Sequence, residues 1–189
     1  MPRAGLTKAS VVASGAALAD ETGWEALTLA ALAEQLGVRQ PSLYKHVAGL
    51  PALRREIQLL ALRELQAVTT QAAIGRSGAD AVEAIAVAYR EYAKANPGRY
   101  AASVVAPPSE DPDLYETAAG LLATVTAVLD GFGLRGTDAI DAVRGLRALM
   151  HGFVTLELSG GYALPFDLDE SYRRLVRGFA RSLPRYSGH

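Results

Sequence analysis

The sequence predicts an all-α fold, and three observations predict it. Apolar residues recur at i, i+3, i+4 and i+7 in most segments bounded by glycine or proline. No segment offers a convincing set of alternating strands. Half of the 189 residues are apolar, enough for a sizeable core in a chain long enough for one or two domains.

The first helix is read from Val11, Gly15, Leu18 and Thr22, which share one face, and Gly23 ends it. The same stretch imitates a secretory leader, with Arg3 and Lys8 ahead of VVASGAALADE and a small-residue site before Asp20. Its would-be apolar region is mostly Ala, Ser and Gly, so the helix face is the stronger reading. A turn with Trp24 follows, and Thr28 is placed to cap a short helix carrying Leu29, Leu32, Ala33 and Leu36. Gly37 takes positive φ without penalty and turns the chain sharply. A third short helix, about 40–47, buries Leu43 and Val47. Gly49 and Pro51 open a fourth that runs to about Gln71.

Residues 75–78 read as the link to the rest of the chain. Val82, Ile85, Ala86 and Tyr89 support a helix over 79–95, which Asn96-Pro97-Gly98 ends. The stretch APPSEDPD (106–113) is a loop by composition. Two longer helices, about 113–131 and 138–158, flank GFGLRG. A last one, about 167–183, carries Tyr172, Leu175, Val176 and Phe179 and ends at Pro184. The division expected is a DNA-binding domain over 1–50 and a helical effector-binding and dimerisation domain over 51–189.

A short helix, a glycine turn and a second short helix are the parts of a helix-turn-helix, whose second helix enters the major groove. Here that helix opens with Arg39, Gln40, Pro41 and Ser42, the positions that reach base edges in such a docking. From Gln35 to Arg55 there are four Lys or Arg (39, 45, 54 and 55) and no Asp or Glu. A chain of net charge −1 has thus gathered cations where phosphates would lie. Plain packing and a solvated charged face are the competing readings of the same pattern.

Composition excludes several other functions. The absence of cysteine removes disulfides and thiolate metal sites and suits a reducing cytoplasm. No apolar run approaches the roughly 18 residues of a membrane span. The three histidines, at 46, 151 and 189, lie far apart without acids at ligand spacing. There is no nucleophile elbow, no glycine-rich phosphate loop and no HExxH. Asp138, Asp141, Asp167, Asp169 and Glu170 are helix N-terminal charges. No catalytic residue, metal or cofactor is therefore assigned.

The segment TLAALAEQLGVRQPSLYKHVAGLPAL resembles the DNA-binding domain of the TetR family of bacterial transcriptional regulators. The resemblance rests on Thr28, Leu32-Ala33, Gly37-Val38 and Leu43-Tyr44-Lys45-His46-Val47, and covers about 7–55. It implies that Thr28, Tyr44 and Lys45 bind phosphates and that Arg39, Gln40 and Ser42 face bases, with Pro41 and His46 on the same surface. Tyr44 has the alternative of partial burial with its hydroxyl on a neighbouring helix. Arg39 has two readings, a guanine reader or a phosphate holder. Val47 replaces the usual Phe, and Leu50 replaces a common phosphate-contacting Lys, a loss that Arg54, Arg55 or the arm residues Arg3 and Lys8 are placed to offset.

From about residue 78 the chain is similar in order and lengths to the family's ligand-binding and dimerisation domain. LRALMHGFVTLELSG resembles a subgroup with a Trp-His-Gly motif, here Met150-His151-Gly152. The resemblance implies an interface of two helices from each subunit, drawn from Gly145, Ala148, Gly152, Phe153, Tyr172, Leu175, Val176 and Phe179. The small-residue stripe 145, 148 and 152 fits close approach of another backbone, with a bend or a pocket floor as the competing reading. Tyr89, Tyr92, Tyr115, Met150 and His151 would border a cavity for a small, mainly hydrophobic effector. His151 and the tyrosines have core positions as their alternative reading. The function expected is a cytoplasmic, homodimeric repressor that an unidentified effector releases from a pseudo-palindromic double-stranded operator, with no membrane partner. The alternatives are a regulator with a vestigial pocket, controlled by a protein partner, and an all-helical enzyme.

Overall fold

The computed structural model describes residues 6–183; Arg3, Pro184 and His189 lie outside the described residues. Those described form helices α1 (Lys8–Thr22), α2 (Leu29–Gln35), a 3₁₀ helix (Gln40–Lys45), α3 (Leu50–Ala73), α4 (Gly78–Ala95), α5 (Pro97–Ser103), α6 (Pro112–Asp130), α7 (Gly136–Leu158) and α8 (Leu168–Ser182), with no strand among them. The fold is all-α, with an N-terminal helix-turn-helix and a C-terminal helical part, as the periodicity predicts. It condenses into two units. One holds the chain up to Leu62 together with Asn96–Tyr115; the other holds Arg63–Ala95 and the chain from Glu116 onward.

In the first unit, local signals set each boundary. Thr7 and Ser10 form a capping box at α1: Thr7 Oγ1 accepts from the Ser10 amide at 3.1 Å, and Ser10 Oγ from the Thr7 amide at 2.9 Å. Thr28 caps α2 through Ala31 N–H at 3.2 Å. Gly37, at φ +64°, closes α2 in a Schellman motif, with Gly37 N–H on Glu34 O and Val38 N–H on Ala33 O, both at 3.0 Å. Val11, Leu27, Leu32, Leu43, Leu53 and Ile57 are fully buried between α1, α2, the 3₁₀ helix and the start of α3.

Helix α5 departs from the sequence expectation. Asn96-Pro97-Gly98 reads as a stop, and it does end α4, but Pro97 also opens a new helix at a position where its missing N–H is harmless. Gly98 lets that helix lie against α1: a Cβ there would sit 2.1 Å from Ala19 O. Arg99 donates to the Asp20 carboxylate from its backbone amide at 2.9 Å and its Nε at 2.7 Å. Gln58 Nε2 reaches Val105 O at 2.9 Å. Residues 96–115, flanked in sequence by helices of the second unit, are thereby built into the first.

In the second unit α4 packs on α7 and α8, and α7 on α8. Val82, Ile85, Leu146, Met150, Val154, Tyr172 and Val176 form its buried interior. Tyr172 is fully buried and donates its hydroxyl to Ala86 O at 2.8 Å, so its one polar atom is satisfied.

Candidate nucleic-acid interface

Gln40–Lys45 form a 3₁₀ helix where the sequence predicts a short helix over about 40–47. Pro41 near its start removes an amide, and the whole element is six residues long. Leu43 points inward and is completely buried; Val47, just beyond, is also buried. These two anchors turn the remaining side chains outward. Arg39, Gln40, Pro41, Tyr44 and Lys45 are exposed, with Tyr44 at 55%, while Ser42 and His46 are half-buried. Tyr44 therefore stands out from the surface, and its hydroxyl is 3.5 Å from Gln40 Nε2 on its own element. Thr28 is exposed, and with its Oγ1 accepting from Ala31 its hydroxyl hydrogen is left to donate outward.

Charges sort into two kinds. Arg39 and Lys45 have no ion-pair or hydrogen-bond partner for their side chains among the described residues. Arg54 and Arg55, expected as compensating phosphate contacts, are engaged internally. Arg54 lies over the Trp24 ring, 5.2 Å from its centroid, and donates through Nη2 to Trp24 O and Glu25 O at 3.3 Å each. Arg55 pairs with Asp111 and Asp113, its Nη2 donating at 2.7 and 2.9 Å, and these hydrogen bonds raise its own pKa and hold the Asp111 carboxyl below its ordinary range. Lys8 Nζ lies 2.8 Å from Glu56. Leu50, where a phosphate-binding Lys is common, packs against the core instead. The Arg55 cluster was missed in the sequence because its acids lie 56 and 58 residues away. The only available signal was the acid run at 110–113.

Of the residues assigned to an effector, Tyr89, Tyr92 and Met150 are buried on α4 and α7. The Tyr92 hydroxyl donates to Glu64 at 3.0 Å. His151 is half-buried, its Nδ1 3.5 Å from Thr155 Oγ1, and burial followed by the Arg147 charge pushes its pKa down. Tyr115 is 60% exposed and belongs to the first unit, whereas the other four belong to the second. A concavity of about 410 Å³ on α4 and α8 is lined by charged residues including Arg90, Lys94, Asp169 and Arg173, and by none of these five.

The residues assigned to a dimer also divide. Ala148, Gly152 and Leu175 face outward, and a Cβ on Gly152 would meet nothing within 4 Å. Phe179 is half-buried, and Gly145 receives its ring, 3.1 Å from a Cβ position, so that glycine serves packing within the chain. Phe153, Tyr172 and Val176 are buried within the unit. Phe153 lies 4.8 and 4.9 Å, centroid to centroid, from Tyr162 and Tyr172.

A helix-turn-helix with unpaired cations on its second helix, followed by a separate helical unit, defines a DNA-binding transcriptional regulator. The family is given by comparison. Residues 11–47 match the model of bacterial regulatory proteins of the tetR family, and 82–179 match a tetracyclin repressor-like C-terminal domain. An uncharacterised HTH-type transcriptional regulator of Mycobacterium tuberculosis is 36% identical, over 97% of this chain and 84% of that protein. The chain belongs to the TetR family. A Rhodococcus sp. RHA1 protein of unknown function has the same fold, with a TM-score of 0.81 at 21% identity over 97% of this chain and 98% of that one. A TetR variant from Acinetobacter baumannii, solved with minocycline, has a TM-score of 0.68 at 24% identity over 95% and 99% of the two chains. Among the described residues no helix is long and apolar enough to cross a membrane, and no group of three or more His, Cys, Asp or Glu is placed to hold a metal ion.

Proposed function

We propose that this protein is a homodimeric, effector-released repressor of the cytoplasm that binds a pseudo-palindromic DNA operator. The observation that carries the reading is the division of charge around the helix-turn-helix. Arg39 and Lys45 stand unpaired beside an exposed Tyr44, while Arg54 is held by the Trp24 ring and backbone carbonyls and Arg55 by Asp111 and Asp113. Thr28, Tyr44 and Lys45 anchor phosphates, and Arg39, Gln40 and Ser42 face base edges, with Pro41 and His46 at the rim. Anchors set register and readers carry sequence.

The outward faces of α7 and α8, with Ala148, Gly152 and Leu175, meet those of a second copy. Tyr89, Tyr92, Met150 and His151 contribute to a site for a small, mainly hydrophobic effector, in the region that also carries the Met150-His151-Gly152 variant of the subgroup motif. The minocycline bound by the Acinetobacter relative supports a small-molecule effector as a class. Effector binding shifts a population toward a spacing of the two reading helices that does not fit the operator. Residues 96–115, covalently continuous with α4 and α6 yet built into the first unit, are the segment through which the shift reaches α1.

Selection of bound fragments from a genomic library by the purified protein, with sedimentation on the same preparation, tests the proposal. The expected result is a dimer bound to half-sites about one helical turn, roughly 34–36 Å, apart. A wild-type monomer at micromolar concentration would overturn it.

A further inference from the structure

The sequence contains three lysines, at 8, 45 and 94. Two are engaged by carboxylates: Lys8 Nζ lies 2.8 Å from Glu56 and Lys94 Nζ 3.0 Å from Glu157. An amine tied to a carboxylate must give up that contact before its lone pair can attack anything else. Lys45 carries no such restraint. It is exposed, without a side-chain partner among the described residues, in a segment free of acids from Gln35 to Arg55.

The neighbours of Lys45 are also suited to an anion. In a 3₁₀ helix residues three apart eclipse at about 6 Å per turn, which sets Ser42 beside Lys45 on one side. Arg39, the N-cap, lies one further turn back, its guanidinium also without a partner. A guanidinium, a hydroxyl and an ammonium in sequence form a surface suited to phosphate oxygens. Such a surface does not distinguish a phosphodiester from the phosphate of a small reactive molecule.

We propose that Lys45 is a modification site for acyl phosphates, drawn to the surface by their phosphate group and converting the amine to a neutral amide. The unprotonated amine attacks the acyl carbon and a C–N bond forms. The C–O bond to phosphate breaks, its electron pair leaves with inorganic phosphate, and the amine proton passes to that phosphate. Nothing is oxidised or reduced. The product has lost the charge that anchors DNA, so the protein is released from its operator without an effector. That consequence rests on the DNA-binding reading above; the site selectivity does not.

The test is incubation of the full chain with acetyl phosphate, followed by peptide mass spectrometry at the three lysines. Ion pairing of Lys8 and Lys94 accounts by itself for at most about a fivefold preference for Lys45. A bound phosphate adds proximity, so the expected preference is roughly tenfold or more. Inorganic phosphate or duplex DNA should suppress it, and a phosphate-free acetyl thioester should show only the smaller preference. Equal modification of Lys45 and Lys94, or a preference that phosphate does not reduce, overturns the proposal. In a DNA-binding assay the acetylated wild type should lose roughly tenfold or more in affinity, the order of one charged hydrogen bond. Lys45→Arg should lose nothing further on treatment, and loss persisting in that variant would place the responsible site elsewhere. If the untreated protein bound no duplex at all, the DNA-binding reading would have failed, while the mass-spectrometric selectivity would still decide the modification site.

Discussion

Arg39 and Arg90 carry the same side chain and receive opposite treatment. Arg39 caps the 3₁₀ helix, lies exposed and has no side-chain partner among the described residues. Arg90 is only 8% exposed. Its Nε and Nη2 donate to Glu157 at 2.6 and 2.7 Å, its Nη1 to Asp169 at 2.8 Å, and it lies over the rings of Phe153 and Tyr172. It joins α4, α7 and α8 of the second unit through one planar group, a role that the fork geometry of guanidinium suits and ammonium does not. The surroundings decide what a cation is for: one is left for an external anion, the other satisfied by internal carboxylates.

The largest effect should come from breaking the internal one. Arg90→Ala leaves the Glu157 carboxylate, 11% exposed, with Lys94 alone, and removal of one partner from a buried pair costs about 3–5 kcal/mol. Urea unfolding should show that loss. Acid tests the same cluster. Hydrogen bonds from Arg90 hold the Glu157 carboxyl below its ordinary value, against burial and with help from Lys94. A depressed pKa means that the unfolded chain takes up the proton first as pH falls. The stability is therefore whole above the usual glutamate range and drains away below it. In Arg90→Ala that part of the acid dependence should be lost. An unchanged acid profile would show that the pair does not govern it.

In the first unit the comparable point is a contact without charge. A Cβ at Gly98 would lie 2.1 Å from Ala19 O and 2.6 Å from Asp20 N, both backbone atoms that cannot rotate away. Gly98→Ala should cost about 1–3 kcal/mol or more by overpacking. It should also disturb the neighbouring Arg99–Asp20 pair. A thermal midpoint equal to wild type would mean that α5 is not held against α1 as described.

Next in size is the reading surface itself. Arg39→Ala and Gln40→Ala should each reduce discrimination between matched and scrambled operators, by about 1–3 kcal/mol where the contact is bidentate, with stability little changed. Lys45→Ala should weaken binding to all sequences and flatten the salt dependence. Identical responses of both operators to all three substitutions would erase the division into readers and anchors.

The two regions also differ in how far the sequence reveals them. Around the helix-turn-helix, burial of Leu32, Leu43 and Val47 follows from local spacing, and once those anchors are inward the exposed set is determined. In α8 the apolar residues 172, 175, 176 and 179 share one face, apart from Arg173, Arg174, Arg177 and Arg181, and periodicity does not say how far burial reaches across that face. Tyr172 and Val176 turn inward while Leu175 stays outside. Helix α5 was hidden for another reason. Asn-Pro-Gly is a turn by composition, and only the approach of α1 explains why Gly98 is there. Likewise no local pattern joins Arg55 to Asp111 or Arg90 to Glu157 and Asp169, because each pair is made by tertiary packing.

The smallest expected effect probes a residue with two tasks. Thr28 Oγ1 accepts from Ala31 N–H as the cap of α2, and the same hydroxyl has a hydrogen to donate outward. Thr28→Ala should cost about 1 kcal/mol of stability through the cap and weaken DNA binding as well. Two further substitutions separate the tasks. Thr28→Ser keeps the acceptor and the donor, so both properties should be retained. Thr28→Asp keeps a good cap, favoured further by the helix dipole, but sets a negative charge where a phosphate approaches. Stability should hold while affinity falls for every DNA sequence alike. Were Thr28→Asp to bind DNA as well as wild type does, the hydroxyl would be a cap alone, and the phosphate anchors would reduce to Tyr44 and Lys45.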